Sequence, residues 1–302
     1  MEKVKLTFLG TGDAIPTKIR NHTGILVSFN KENILLDCGE NMQRQFRIAG
    51  ISPNDLTRII ITHWHGDHIL GLPGLFQTLA MRDYKKTLKI YGPPGTKRGI
   101  ALVQELVKQI RINLEVHEVS GKFIDEPTFF VEAASMQHGS TPTNAYSIKF
   151  KDKFRLDDKK INKFKLPHSP ILKELQRGKD ITVNGKKIKA SQVGTIETGK
   201  KITLVLDTAY NEHAVKLAKD SDILITEATF LADSERGEEL AKQYEHLTAQ
   251  QAATIAKKAK AKKLIITHIS QRYEANLNAV RDEAKKVFKN TQLVKDFDIV
   301  EL

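Results

Sequence analysis

The sequence predicts an α/β protein in which two sheets carry helices on their outer faces. Three observations support this. Short β-rich runs alternate with helical stretches through most of the 302 residues. The run Ile59-Ile60-Ile61-Thr62-His63 returns almost letter for letter as Leu264-Ile265-Ile266-Thr267-His268. A polar, basic stretch from Lys151 to Gln192 interrupts the alternation once. The repeat delivers a histidine at a strand's C-terminal end in each half, so the two halves read as an internal duplication whose strand ends meet.

Val4 to Leu9 alternates polar and apolar residues as a strand does, and ends at Gly10-Thr11-Gly12. His22 to Asn30 and Asn33 to Asp37 form a hairpin pair around Asn30-Lys31-Glu32. Asn41 to Ala49 reads as a short helix, Arg58 to Thr62 as a buried strand, and Leu70 to Arg82 as a helix. Thr87 to Tyr91 returns to strand before Gly92-Pro93-Pro94-Gly95, and Thr128 to Glu132 is a further strand. In the second half, Ile202 to Leu206 is a strand ending at Asp207, His213 to Lys219 a helix, and Ile223 to Thr226 a strand. Thr248-Ala249-Gln250-Gln251 is a capping box opening a helix to about Lys260. Between the halves, residues 151–190 read as an inserted, extended arm within a single domain of residues 1–302. Pro167 and Pro170 punctuate it, and Asn184-Gly185 marks a hairpin turn.

The composition is that of a soluble chain with a sizeable core, 40% hydrophobic and 28% charged. No apolar run approaches the roughly 18 residues of a membrane span. The strand-like start, Met1 to Phe8, lacks the apolar run of a leader, and the expected compartment is the cytoplasm. One cysteine, Cys38, excludes an internal disulfide and a cysteine-only metal site. The formal charge of +12 points either to a polyanionic partner or to a generally lysine-rich surface. The insert concentrates it: residues 151–192 hold 13 basic and 5 acidic side chains.

His63-Trp64-His65-Gly66-Asp67-His68 carries the chemistry. An extended stretch points His63 and His65 the same way, and the turn into the next helix brings Asp67 and His68 beside them. Imidazole and carboxylate without thiolate suit zinc first, then manganese or iron. One such cluster does not fill two metal shells. Further ligands are sought at His138, Asp207 and His268, which lie near strand ends. Trp64 reads as packing.

With these residues in order, the chain resembles the metallo-β-lactamase superfamily, a four-layer αββα sandwich. Within it the chain resembles the ribonuclease Z family, endonucleases that mature the tRNA 3′ end. The narrower resemblance rests on Pro16-Thr17-Lys18-Ile19-Arg20-Asn21, Thr226-Glu227-Ala228-Thr229-Phe230, His246-Leu247-Thr248 and His268-Ile269-Ser270-Gln271-Arg272-Tyr273. Thr226 and Leu247 depart from the family's usual histidine and serine, and Ser169-Pro170 stands where the family's arm has Gly-Pro.

The resemblance implies two Zn2+ per chain, with Mn2+ as an alternative. His63, His65 and His138 would hold one, and Asp67, His68 and His268 the other, with Asp207 between them. It implies that Asp67 orients the nucleophile and that His246, held by Glu227, protonates the leaving oxygen. Lys18, Arg20, Asn21, Ser270 and Arg272 would grip substrate. It further implies precursor tRNA as substrate, an RNA-gripping arm, and a homodimer. Another di-metal phosphodiesterase or sulfatase-like hydrolase of the same fold would need the metals but not the arm. A catalytically silent RNA-binding protein would not need the full ligand set.

Overall fold

A computed structural model describes residues 3–108, 112–164, 166, 171–183 and 185–302. Strands β1 (Lys5–Gly10), β2 (Gly24–Phe29), β3 (Glu32–Leu36), β4 (Arg58–Ile60), β5 (Thr87–Gly92) and β6 (Asn113–Glu118) build the first sheet. Strands β7 (Gly121–Asp125), β8 (Phe129–Met136) and β9 (Thr143–Phe150) open the second. Residues 153–197, which take in most of the predicted insert and a few residues beyond it, hold β10 (Lys153–Leu156), β11 (Ile181–Val183), β12 (Lys186–Ile188) and β13 (Gly194–Glu197). The chain then returns through β14 (Lys201–Val205), β15 (Ile223–Glu227), β16 (Leu264–Thr267), β17 (Thr291–Leu293) and β18 (Ile299–Glu301). The two large sheets each have seven strands, in the orders β18-β1-β2-β3-β4-β5-β6 and β17-β16-β15-β14-β9-β8-β7.

Both sheets contain a parallel block, β3 to β6 in one and β14 to β17 in the other. The inner faces meet in one core, where Phe8, Ile25, Val27 and Ile60 pack with Ile148, Leu204, Ile225 and Ile265. Helices Met42–Ile48, Leu72–Met81 and Thr96–Leu106 bury Phe46, Phe76 and Ile100 on the outer face of the first sheet. Helices Glu212–Ala218, Ala249–Lys258 and Leu277–Val287 cover the second with small side chains such as Ala252, Ala253 and Ala256. These are the four layers expected of the sequence. Parallel strands expose their carboxyl ends together, and a crevice there is the usual ligand site of such sheets.

The predicted strand Arg58 to Thr62 leaves the ladder early. Thr62 gives its N–H to the Asp37 side chain at 2.7 Å instead of to a neighbouring strand. The Thr248–Gln251 capping box is present, with reciprocal bonds of 3.2 and 3.0 Å.

The insert departs from the expected extended arm. Ile161, Leu166, Leu175, Ile181, Ile188, Ala190 and Val193 form a small core of their own. They come from the ribbon β10–β13, the hairpin β11–β12 and helices Asp158–Lys163, Ile171–Gln176 and Ala190–Val193. Helices of four to six residues leave no apolar period long enough to read. Gly185 takes the positive φ, 76°, foreseen at the hairpin turn. Pro167, Ser169, Pro170 and Asn184 lie outside the described residues.

Candidate metal centre

The strand ends from both sheets converge on seven side chains. His63, His65, His138 and Asp207 form one group, and Asp67, His68, Asp207 and His268 a second, with donor atoms in each group within 4.8 Å of one another. Asp207 belongs to both. Its Oδ2 lies 3.6 Å from His63 Nε2 and 3.3 Å from His68 Nε2, and its Oδ1 lies 3.2 Å from His268 Nε2. Asp67 Oδ2 sits 3.1 Å from His68 Nε2 and 3.2 Å from His268 Nε2. The backbone is strained at two of these positions, with φ of 38° at Asp207 and 53° at His268.

Outer partners fix the histidine tautomers. Asp37 Oδ2 lies 2.7 Å from His68 Nδ1 and also accepts from Thr62 Oγ1 at 2.7 Å. A carboxylate only accepts, so His68 donates from Nδ1. Thr62 Oγ1 has given its proton to Asp37 and therefore accepts from His63 Nδ1 at 3.1 Å. Thr229 Oγ1 gives its proton to Glu227 at 2.6 Å and accepts from His268 Nδ1 at 3.0 Å. His138 Nδ1 donates to the Glu245 carbonyl at 3.1 Å. Four histidines thus commit Nδ1 to an outer partner and turn Nε2 to the centre, the arrangement that metal-ligating imidazoles require.

The buried atoms themselves call for a cation. His63 Nε2, His68 Nε2 and Asp207 Oδ1 are inaccessible and lack a hydrogen bond of acceptable geometry. Burial favours neutral His63, and the His68 charge beside it pushes its pKa further down. Burial works the same way on His68 and His268, but Asp207 and Asp67 overcome it and hold both above the usual histidine range. Imidazole must shed its proton to bind a cation, so divalent cations held here would bind more tightly as pH rises.

The cleft beside this cluster has a volume of about 480 Å³. Phe230 and Tyr244 line it, with Arg272 standing over the Phe230 ring at 5.6 Å. His246 also faces the cleft, its Nδ1 donating to Glu227 Oε2 at 2.9 Å. Glu227 Oε1 accepts the backbone N–H of Thr208 at 2.7 Å, one residue from Asp207. Burial lowers the His246 pKa, but the Glu227 charge outweighs it and raises the pKa to about 9.

Among the sequence-predicted gripping residues, Ser270 and Arg272 line the cleft, and Lys18 is exposed on the loop before it. Arg20 departs from that expectation. It is buried, and its Nη1 donates to Thr11 Oγ1 at 2.6 Å and to the Val294 carbonyl at 2.9 Å. The Thr17 hydroxyl accepts the Arg20 N–H and folds the loop inward, where the nearby Asp296 carboxylate offsets part of the cost of burying the charge. Asn21 likewise ties the loop down, donating to the Glu40 carbonyl at 2.7 Å. Trp64 packs as expected, donating to Thr96 Oγ1 at 3.0 Å. A side chain at Gly99 would strike its ring.

Asp37, Thr62 and Thr229 were not anticipated as site residues. The signal for the first was available: Leu35-Leu36-Asp37 has the same form as Val205-Leu206-Asp207, a strand end carrying aspartate.

A family model described as "Anti-Pycsar protein Apyc1" matches residues 4–119, the region of the first sheet. Ribonuclease Z of Methanothermobacter thermautotrophicus is 37% identical over 302 residues, covering 99% of this chain and 97% of that protein. The chain belongs to the ribonuclease Z family. Ribonuclease Z of Nanoarchaeum equitans is 37% identical over 270 residues, covering 89% of this chain and 84% of that protein. The crystal structure of human short-form tRNase Z matches with a TM-score of 0.70 at 26% identity, covering 98% of both chains. Family membership implies a divalent metal site, and the imidazole and carboxylate donors gathered here fit one. No helix among the described residues is long and apolar enough to cross a membrane.

Proposed function

We propose that the chain cuts the 3′ trailer from precursor tRNA, leaving a 3′-hydroxyl on the tRNA and a 5′-phosphate on the trailer, with two Zn2+ or Mn2+ per chain. The observation that carries this reading is Asp207, shared by two donor groups on the wall of a cleft that also holds His246 and Glu227. As a family member the chain is an endoribonuclease, and the metal identity, the count of two and the roles below are our own reading.

His63, His65, His138 and Asp207 would hold one cation, and Asp67, His68, His268 and Asp207 the other. Cations held there would lower the pKa of an attacking water and stabilise charge on the scissile phosphate. Asp67, at the edge of the cleft, accepts a hydrogen bond from that water and so orients it. His246 gives a proton to the departing 3′-oxygen. Its Nδ1 is committed to Glu227, so the proton leaves from Nε2. The helix starting at Ala249 opposes a charge on His246 through its dipole, and Glu227 prevails. Lys18, Ser270 and Arg272 contact phosphates flanking the cut, while Arg20 and Asn21 hold the loop that presents Lys18.

We further propose a cytoplasmic homodimer. Met81, Leu102 and Leu106 support it, being 83%, 56% and 74% exposed on the two neighbouring outer helices. Light scattering of the purified protein tests this.

The decisive experiment incubates the metal-loaded protein with a 3′-extended tRNA transcript and maps the cut. In parallel, residues 152–188 are replaced by a short Gly/Ser linker. All seven donor residues lie outside this segment. Cleavage of tRNA should fall by orders of magnitude and lose much of its salt dependence, whereas hydrolysis of a small activated phosphodiester should persist within several-fold. A folded, metal-bound deletion that still processed tRNA at the parental rate would make the insert a bystander.

A further inference from the structure

The carboxyl ends of β14 and β16 lead into the metal centre, and a second cavity lies at their amino ends. It measures about 520 Å³ and is lined by six lysines and two aspartates. Its walls are fixed by backbone bonds: Phe150 N–H to the Lys200 carbonyl, Asp222 N–H to that of Lys201, and Lys262 N–H to that of Ser221, all 2.8 Å. Asp222 holds part of the charge, its Oδ1 accepting from Lys262 Nζ at 2.9 Å and from Lys200 Nζ at 3.3 Å. Among the described residues, no carboxylate forms an ion pair with Lys149, Lys216 or Lys219.

A second observation is independent of the cavity's shape. Lys149 on β9 stands directly opposite Lys201 on β14 in the antiparallel register. Like charges facing one another across a sheet destabilise it. Lys201 is half-buried with its Nζ turned to the Lys219 carbonyl at 3.0 Å; Glu132 and Asp220 counter part of the Lys149 charge, and an anion in the cavity would relieve more of the repulsion.

We propose that this cavity is a second RNA contact, holding backbone phosphates of the substrate at the root of the insert. The inference rests on the ribonuclease reading above. Position favours it: β9 leads into the insert, and Thr198 to Lys201, which line the cavity, carry the chain out of it. The residue type favours a backbone over a lone small anion. Lysines are point charges without a bidentate fork, and suit a run of phosphates more than one oriented group. The cavity is also too large to enclose a single phosphate closely.

The test uses the metal-loaded full chain and two variants, Lys149→Gln and the triple Lys149→Gln/Lys216→Gln/Lys219→Gln. Affinity for a 3′-extended tRNA transcript is measured against salt, alongside hydrolysis of bis(4-nitrophenyl) phosphate and thermal melting without RNA. The triple variant should bind the transcript on the order of tenfold more weakly at low salt. The slope of log affinity against log salt should shrink by about 2 to 3, close to 0.9 per lost phosphate contact. Hydrolysis of the small substrate should stay at the parental value. Lys149→Gln alone should melt higher than the parent, since it removes the facing charge, while binding RNA less tightly. If the parent binds and cuts the transcript and the triple variant matches its affinity and slope, the inference fails alone. If the parent neither binds nor cuts it, the ribonuclease reading fails and takes this inference with it.

Discussion

Asp37 and Asp207 occupy matching places in the two halves. Asp37 follows the last residue of β3 and Asp207 stands two residues beyond the end of β14; both have positive φ (57° and 38°), and both are buried. Asp37 nevertheless reaches the centre only through His68 and Thr62, whereas Asp207 faces His63, His68, His138 and His268 directly. The first half supplies the dense His63–His68 cluster, so its aspartate is left to orient an imidazole. The second half supplies His268 alone from the matching strand, and its aspartate completes both donor groups. The same side chain thus meets two different surroundings: Asp207 stands among the donor atoms of both groups, and Asp37 holds an imidazole from outside them.

Asp207→Ala is the severest way to break this comparison. It removes one carboxylate from each group, so metal analysis after reconstitution should show both sites depleted and RNA cleavage reduced to background. A variant retaining two tightly held metals would remove Asp207 from its shared position. Next in size is His246→Ala, which should cost about 10²- to 10⁴-fold in turnover while metal content and RNA affinity stay near the parental values.

Glu227→Gln sharpens the same point through pH. The acid form of His246 is present below its pKa, so activity should fall as pH rises through that value. Glu227 holds that pKa up to about 9, and cations held nearby would push it down. Removing the Glu227 charge should lower it further, shifting the alkaline limb of the kcat profile to lower pH. An unmoved limb would mean that another group donates the proton.

The residues gathered at the centre were legible because their signal is local. Four donors fall within six positions, and the repeated Ile-Thr-His places the partner from the other half. The four layers followed from the same repeat. What escaped depends on contacts remote in sequence. Arg20 looks like a loop cation, but Asp296, Thr11 and Val294 turn it inward, and nothing near position 20 announces them. The fold of the insert escaped because its core is assembled from single apolar residues on elements too short to show a period. Asp37 was hidden by the strength of the neighbouring motif.

The mildest effect should come from Asp37→Asn, and it bears most directly on the asymmetry. Asparagine keeps the size and one acceptor oxygen, but it places an N–H₂ among three donors: Thr62 N, Thr62 Oγ1 and His68 Nδ1. At least one of those bonds must be lost. The charge that helps make His68 basic also disappears, leaving burial and Asp207 to act on it with Asp67. His68 should become a weaker and less firmly oriented donor. Loss of such an outer partner typically weakens metal binding about 10- to 100-fold. The deficit should fall on the group containing His68, so competitive chelation should strip one metal well before the other. Excess metal should restore most of the activity, which it cannot do for Asp207→Ala. Equal weakening of both sites would mean that Asp37 supports the whole strand end rather than one imidazole, and the division between a binding and an aiming aspartate would not hold.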